Sequence, residues 1–364
     1  MINNGCGDKM SLTILSDTYA PVGGRDRSLR GLCVGITYNT KGLASPGPVD
    51  AQAEYDDIST VLAIRDALES GGAKVNLYEA LDDLPLRIIK DKPDIVFNIA
   101  EGVHGRGRES HVPALLSFLQ IPYTGSDETT MCVTMDKAIA KLLARACGVC
   151  TPEYRMALYG SPFDYESLTY PVIVKPNAEG SGKGISDVSV AKSEAELRLV
   201  LDEKLSVYKQ DMLVERFIAG REFTVGMVGN GEKLHVFPPM EIIFNAGDHG
   251  VYNYEVKRDF KRYTRYQCPP ALDADTVSVI EDAARRVYKA LGCKDFSRAD
   301  FRLSADGVLY FLELNPLPGL APGYSDLPIL AEFCGVDYQS LILSVIESAL
   351  ERYGIKSYRG DGLD

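Results

Sequence analysis

The stretch Pro171-Val172-Ile173-Val174-Lys175-Pro176-Asn177-Ala178-Glu179-Gly180-Ser181-Gly182-Lys183-Gly184-Ile185-Ser186 decides how this chain is read. Its first part, from Tyr170 to Lys175, has the character of a buried strand and ends on a lysine. Gly180, Gly182 and Gly184 then lie close enough together for backbone N–H groups to approach phosphate oxygens, with Lys175 and Lys183 supplying positive charge. A Walker A loop would need glycine at 177, Ser or Thr at 184, and a helix after it. The chain instead has Asn177 and Gly184, followed by the alternating strand pattern Ile185 to Val190. Strand, glycine loop and strand together predict a flap over a nucleotide. The bland alternative is a hairpin loop that binds nothing.

Working outward, a second signal lies downstream. Ser297 to Leu303 and Val308 to Leu314 read as two strands joined at Asp306-Gly307. Strand periodicity puts Arg298, Asp300 and Arg302 on one face of the first strand, and Glu313 and Asn315 on one face of the second. Asp300, Glu313 and Asn315 then form a set of hard oxygen donors suited to Mg²⁺, which takes one or two carboxylates plus substrate phosphates. Arg298 projects to the same face, where it could stabilise an oxyanion. The competing reading is a polar sheet face with a salt bridge.

Around these motifs the pattern is mixed. Leu32 to Tyr38, Lys74 to Tyr78 and Asp94 to Ile99 are predicted strands, separated by a helical stretch from Glu54 to Leu68 that stops at Gly71-Gly72. This predicts βαβ units on a parallel sheet. Val112 to Leu119, Asp136 to Ala146, Ser193 to Leu205, Asp275 to Leu291 and Tyr338 to Tyr353 read as helices, the third opened by the capping box Ser193-Glu194-Ala195-Glu196. Met212 to Phe217 and Glu222 to Val228 read as strands, and Pro316 to Pro328 as a loop.

The chain has 364 residues, with 39 basic and 51 acidic side chains and a net charge of −12. That balance argues against general nucleic-acid binding. The basic, aromatic stretch Tyr252 to Tyr266 reads either as a nucleic-acid patch or as a flexible lid over an anionic ligand. No run approaches the roughly 18 apolar residues of a membrane span. Met1 to Gly24 shows no basic region followed by an apolar run, so a cytoplasmic protein without signal peptide is expected. The eight cysteines are expected to be reduced thiols, including the Cys147-Gly148-Val149-Cys150 pair.

Taken in order, several segments resemble the D-alanine–D-alanine ligases of the ATP-grasp superfamily. They are HGRGRE (His104 to Glu109), PYTGS (Pro122 to Ser126), TMDKAIAK (Thr134 to Lys141), PVIVKPNAEGSGKGIS (Pro171 to Ser186), LVERFIAGREFTV (Leu213 to Val225), YNYEVK (Tyr252 to Lys257), SRADF (Ser297 to Phe301) and ELNPLPGL (Glu313 to Leu320). The resemblance implies an α/β (α+β) chain with an ATP-grasp fold and an N-terminal Rossmann-like domain. Its implied domains are an extension (1–30), an N-terminal α/β domain (31–133), a central subdomain (134–235), a C-terminal subdomain with the metal site (236–353) and a tail (354–364). It also implies roles. Lys137 and Lys175 would contact ATP phosphates, and Glu179, Gly180 and Ser181 would lie in the flap. The backbone of Glu215, Arg216, Phe217 and Ile218 would read adenine, and Glu222 the ribose. Lys257 would reach the γ-phosphate or the substrate carboxylate. Asp300, Glu313 and Asn315 would hold two Mg²⁺ ions, with Mn²⁺ as the alternative metal. Arg298 and the Gly319 N–H would form the oxyanion hole. Ser325 would touch the second amino acid and His104 would sit near the first. Relatives are often dimers, so a homodimer is the implied state.

Three departures bear on the substrate. The family's Ser-x-Glu-Arg-Glu signature, which holds an ammonium, is absent after the first strand. Glu54, Asp56 or Asp57 is the expected replacement. The family's tyrosine after the flap lysine is Arg258 here, and its Ser-Leu pair is Ser325-Asp326. A charge pair of Arg258 and Asp326 beside a methyl group would be costly, so a second substrate other than D-alanine, charged or larger, is expected; if Arg258 and Asp326 pair only with each other, the substrate is unchanged. The function expected is an ATP-dependent carboxylate–amine ligase acting through an acyl phosphate on small amino acids or amines. The alternatives are a D-Ala–D-Ala ligase proper of peptidoglycan synthesis, a ligase loading an amino acid onto a carrier or natural product, and an inactive nucleotide-binding module.

Overall fold

A computed structural model of the chain describes residues 28–41, 55–180, 189–244 and 264–355. The first unit contains β1 (Cys33–Tyr38), α1 (Ile58–Ser70), β2 (Lys74–Glu79), α2 (Leu84–Asp91) and β3 (Ile95–Ile99), and its strands pair in parallel in the order β2-β1-β3. β3 is buried along its whole length, as a central parallel strand covered on both faces should be. The helix expected from Glu54 starts only at Ile58, because Asp56 bridges to Thr40 and Asp57 takes the N-cap position. Short α2, not anticipated, buries only Leu84 and Ile88.

Three further helices lead to the middle of the chain: α3 (His111–Phe118), α4 (Glu128–Met135) and α5 (Lys137–Ala146). Asp136 separates the last two. Its backbone is extended, and its side chain accepts the Ile139 N–H at 3.1 Å. The second sheet comprises β4 (Tyr154–Ala157), β5 (Val172–Pro176), β6 (Val190–Ala191) and β7 (Met212–Arg216), antiparallel in the order β4-β7-β5-β6, with α6 (Glu194–Tyr208) packed on it. Ser193 caps α6 as expected, but Glu196 returns to the N–H of Lys192 at 2.7 Å. Of the strand expected over Ile185 to Val190, residues 185–188 lie outside the described residues.

The third sheet is antiparallel. It runs β11-β10-β8-β12-β13, with β9 attached to β8. Its strands are β8 (Gly220–Val228), β9 (His235–Val236), β10 (Met240–Phe244), β11 (Thr264–Gln267), β12 (Phe296–Ser304) and β13 (Leu309–Asn315). The chain passes from the second sheet to the third between Arg216 and Gly220. α7 (Ala274–Ala290) covers one face through Ile280, Ala283, Ala284 and Val287. α8 (Asp326–Phe333) begins inside the segment expected as loop, and α9 (Tyr338–Arg352) follows. A Pro in the first turn, here Pro328, is compatible with a helix start. α8 and α9 share one core with α1, β1 and β3, and with Val228 and Phe296 of the third sheet.

Candidate active site

Pairing of β12 with β13 sets Arg298 opposite Asn315 and Asp300 opposite Glu313, as the strand periodicity predicts, with an irregularity just after Asp300. Ala299, Phe301, Phe311 and Leu314 point the other way, into the core beneath α7. On its other edge β12 sets Asp300 opposite Thr224 of β8, whose hydroxyl donates to Asp300 Oδ1 at 2.7 Å. Arg298 donates to Asp300 Oδ2 at 2.8 Å and to Asp326 Oδ2 at 2.6 Å. Burial alone would pull the Arg298 guanidinium down, but the Asp300 and Asp326 carboxylates outweigh it and push it up. Its Nε is buried without a hydrogen-bond partner. A buried donor without an acceptor is costly, and this one belongs to a residue that lines a recess.

That recess measures about 70 Å³, and its wall includes Asp56, Glu101, Glu109, Gly180, Arg298, Asn315 and Gly319. Gly102 makes the tight turn that brings Arg108 and Glu109 inward. Its φ is +73°, and a Cβ there would lie 2.2 Å from the Arg108 carbonyl oxygen. Gly319 is closely packed too, since a Cβ would meet Ser325 Oγ at 2.7 Å. Ser325 Oγ accepts the Ala321 N–H at 3.1 Å, closing the loop between Gly319 and α8. Of the expected ammonium candidates among the described residues, Asp56 and Asp57, it is Asp56 that reaches the recess. Burial pushes its carboxyl up to about 6 against the opposing pull of Lys41 and the Thr60 hydroxyl. Asp57 is exposed and pairs with Lys41 at 3.4 Å, and Glu54 lies outside the described residues.

The lysines converge from the other side. Lys137 Nζ donates to the Glu179 carbonyl and stands 3.4 Å from Glu313. Lys175 meets Glu215 at 2.5 Å, and Lys141 meets the same carboxylate at 2.9 Å. Burial tends to push the Glu215 carboxyl up, but the two ammonium groups outweigh it and hold it at about 2. The Glu215 side chain is thus committed to the core. Glu222 pairs with Arg302, which also donates to the Ile218 carbonyl at 3.0 Å and lies 5.2 Å from the Phe217 ring centre. Arg216 is exposed.

Two further side chains fix the lip of the glycine loop. Arg108 donates to Glu179 Oε2 at 3.0 Å and to the Ala178 carbonyl at 3.1 Å, and Gln210 donates to Glu179 Oε1 at 2.8 Å. Arg108 belongs to the quoted HGRGRE segment, whereas nothing in the sequence marks Gln210. His104 is exposed and is absent from the recess wall; Glu109 reaches it instead. Ser181, Lys257 and Arg258 lie outside the described residues. Asp326 is buried and engaged with Arg298 and with the Tyr266 hydroxyl, which donates to Oδ1 at 2.8 Å; the expected partner Arg258 lies outside the described residues. Cys147 and Cys150 are free thiols.

Two carboxylates and an amide on adjacent strands fit a hard divalent cation completed by phosphate oxygens, and the Thr224 hydroxyl orients one of those carboxylates. Among the described residues no single helix is long and apolar enough to cross a membrane.

The family model described as D-ala D-ala ligase C-terminus matches residues 163–347. A D-alanine–D-alanine ligase of Aquifex aeolicus is 35% identical over 291 residues, covering 79% of this chain and 94% of that protein. An uncharacterised protein of Sinorhizobium fredii, y4sG, is 34% identical over 261 residues, covering 71% of this chain and 75% of that protein. The crystal structure of the Bacillus anthracis D-alanine–D-alanine ligase complexed with ATP superposes with a TM-score of 0.71 at 24% identity, over 89% of this chain and 99% of that one, which shows the fold. By sequence and by fold, the chain belongs to the D-alanine–D-alanine ligase family, ATP-dependent enzymes that form a C–N bond.

Proposed function

We propose that this member of the family ligates a carboxylate to an amine in which at least one partner is not D-alanine but a larger or cationic amino acid or amine. ATP would lie between the second and third sheets, with Lys137 and Lys175 toward its phosphates and Glu179, Gly180 and Ser181 in the flap. The backbone of Glu215 to Ile218 would meet adenine, and the lone pairs of Glu222 left over from Arg302 would meet the ribose. Lys257 would reach the γ-phosphate or the substrate carboxylate. Asp300, Glu313 and Asn315 would hold two Mg²⁺ or Mn²⁺ ions, which when bound screen the phosphate charge and polarise the transferred group.

A carboxylate is a poor electrophile because its leaving group would be an oxide. Transfer of the γ-phosphoryl group to a carboxylate oxygen gives an acyl phosphate and ADP, a step that depends on positioning and charge neutralisation. The amine lone pair then attacks the carbonyl carbon. Phosphate leaves with the C–O electron pair, and the nitrogen sheds a proton to solvent. Charge on the carbonyl oxygen would be met by Arg298 and the Gly319 N–H. The place of Arg298 and Gly319 together in the wall of the recess supports this role.

The observation carrying the substrate reading is the recess wall itself. It brings Asp56, Glu101 and Glu109 to one small volume with Arg298; D-alanine offers this acidic wall a single ammonium, and a substrate with a second cationic group suits it better. Asp56 would hold the substrate ammonium, and Ser325 the carboxylate of the second amino acid. A phosphate-release screen of amino acid pairs, with and without D-alanine and followed by product mass, tests it. Release should require an amino acid or amine other than D-alanine. Normal turnover with ATP, Mg²⁺ and D-alanine alone would overturn the reading.

A further inference from the structure

We infer that Asp326 is a positioning residue for Arg298, and that it sets the register between the two halves of the oxyanion site. The inference rests on the ligase reading of this site. Arg298 stands on β12, whereas Gly319 and Ser325 stand on the loop that leads into α8, so the two oxyanion donors come from separate elements. Asp326 is the first residue of α8, directly after Ser325, and spans that gap. Its Oδ2 accepts from Arg298 at 2.6 Å and its Oδ1 from the Tyr266 hydroxyl of β11 at 2.8 Å. Asp300, steadied by Thr224 at 2.7 Å, holds the other amino group of the guanidinium at 2.8 Å. Arg298 is therefore gripped from two sides, its plane fixed by one carboxylate of its own strand and one carried by the loop.

A guanidinium has five N–H donors in a rigid fork. Two are spent on these carboxylates, one at each terminal nitrogen, which fixes the plane. Asp326 and Arg298 are both at most 8% exposed at the side chain, so solvent does not compete for the pair. Negative charge in the first turn of a helix is also favoured, which helps hold the Asp326 side chain in place. Without it, Arg298 keeps only Asp300 and can turn toward it, away from the Gly319 loop. The step that suffers is amine attack, where charge develops on the carbonyl oxygen. Acyl phosphate formation, which depends on the lysines and the carboxylate set, is largely spared.

The test uses the full-length protein with ATP, Mg²⁺ and a mixture of the common L- and D-amino acids. Three signals are read: ADP release, hydroxamate formed when hydroxylamine traps the acyl phosphate, and amide products by mass. In Asp326→Asn, amide formation should fall about 30- to 100-fold, the scale of a misplaced catalytic group, while trapped hydroxamate stays within about threefold of wild type and the KM for ATP is unchanged. Asp326→Glu should recover a large part of the amide signal. Tyr266→Phe, a milder change that keeps the fold if Asp326→Asn does not, should shift the amide-to-hydroxamate ratio in the same direction. Equal loss of both products in Asp326→Asn and no change of ratio in Tyr266→Phe would overturn the positioning role and leave the ligase reading standing. No ADP release by the wild-type protein would overturn the ligase reading and this role with it.

Discussion

Asp56 sits where the first unit meets the third sheet, and its environment makes a measurable demand. Burial raises its carboxyl to about 6, well above an ordinary aspartate. A raised carboxyl favours the fold while protonated, and that contribution is lost as the pH rises through about 6. Asp56→Asn should therefore stabilise the ligand-free protein at pH 8, by up to about 3 kcal/mol, by about half that at pH 5, and hardly at all below about pH 3.5. Binding asks the opposite, because only the carboxylate attracts an ammonium. In the wild-type enzyme kcat/KM for the amine-bearing substrate should fall as the pH drops below about 6. In Asp56→Asn it should be lower by about 30-fold, the cost of removing one partner of a buried charge pair, and flat over that range. Urea denaturation at these pH values and a pH–rate profile check both halves. An unchanged profile in the variant would remove Asp56 from the substrate contact.

Between elements, Glu215 is the joint. Its carboxylate on β7 receives Lys175 from β5 and Lys141 from α5, and Lys141 also donates to the Leu312 carbonyl of β13 at 2.9 Å. Glu215 and Lys141 are each 1% exposed, so neither charge has water to fall back on. Because the folded carboxyl sits at about 2 rather than the ordinary 4.5, the stability it supplies is present above pH 4.5 and lost as the pH falls toward about 2. Glu215→Gln leaves two lysines facing an amide and should cost about 3–5 kcal/mol at pH 7. The variant should also lose less additional stability than wild type between pH 5 and pH 3, as read by urea midpoints. A cost under about 1 kcal/mol would mean that the pair is solvated. None of this is legible in the sequence, which shows Glu215 only as one residue of a hinge motif. Lys141 and Glu215 are distant along the chain and carry no local signal, and their pairing appears only once α5 lies across the sheets. The β12–β13 register is legible, because two alternating strands across a tight turn leave few alternatives. β10 and β11 are not, since their pairing partners are fixed by long-range packing. The start of α8 is hidden by the proline and glycine around it.

At the scale of the whole molecule, one buried carboxylate adds a polar joint to the apolar core that the first unit shares with the third sheet. Asp295, fully buried and with φ +63°, precedes β12. It accepts the Gly125 N–H at 2.9 Å, the Asn230 side chain at 2.7 Å and the Arg352 guanidinium at 2.7 Å, while Arg352 also donates to the Tyr123 carbonyl at 2.8 Å. The PYTGS segment thus delivers the Gly125 N–H to Asp295, the residue that precedes β12. α9 packs into the core shared by both units, so they should lose structure together. Asp295→Asn tests this cleanly, because asparagine tolerates a left-handed backbone and keeps the shape. The variant loses the charge opposite Arg352 and replaces one acceptor oxygen with a donor, at an expected cost of about 2–4 kcal/mol. In hydrogen exchange, protection should fall in parallel over β3, the Tyr123–Gly125 segment and α9, while the second sheet, which shares none of these bonds, keeps its own. An even rise in exchange across all three sheets would mean that the substitution lowers the stability of the whole chain and loosens no particular joint. A rise confined to the immediate neighbours of the substituted position would make the carboxylate a local contact, with the arrangement of the two units resting on the shared apolar core alone.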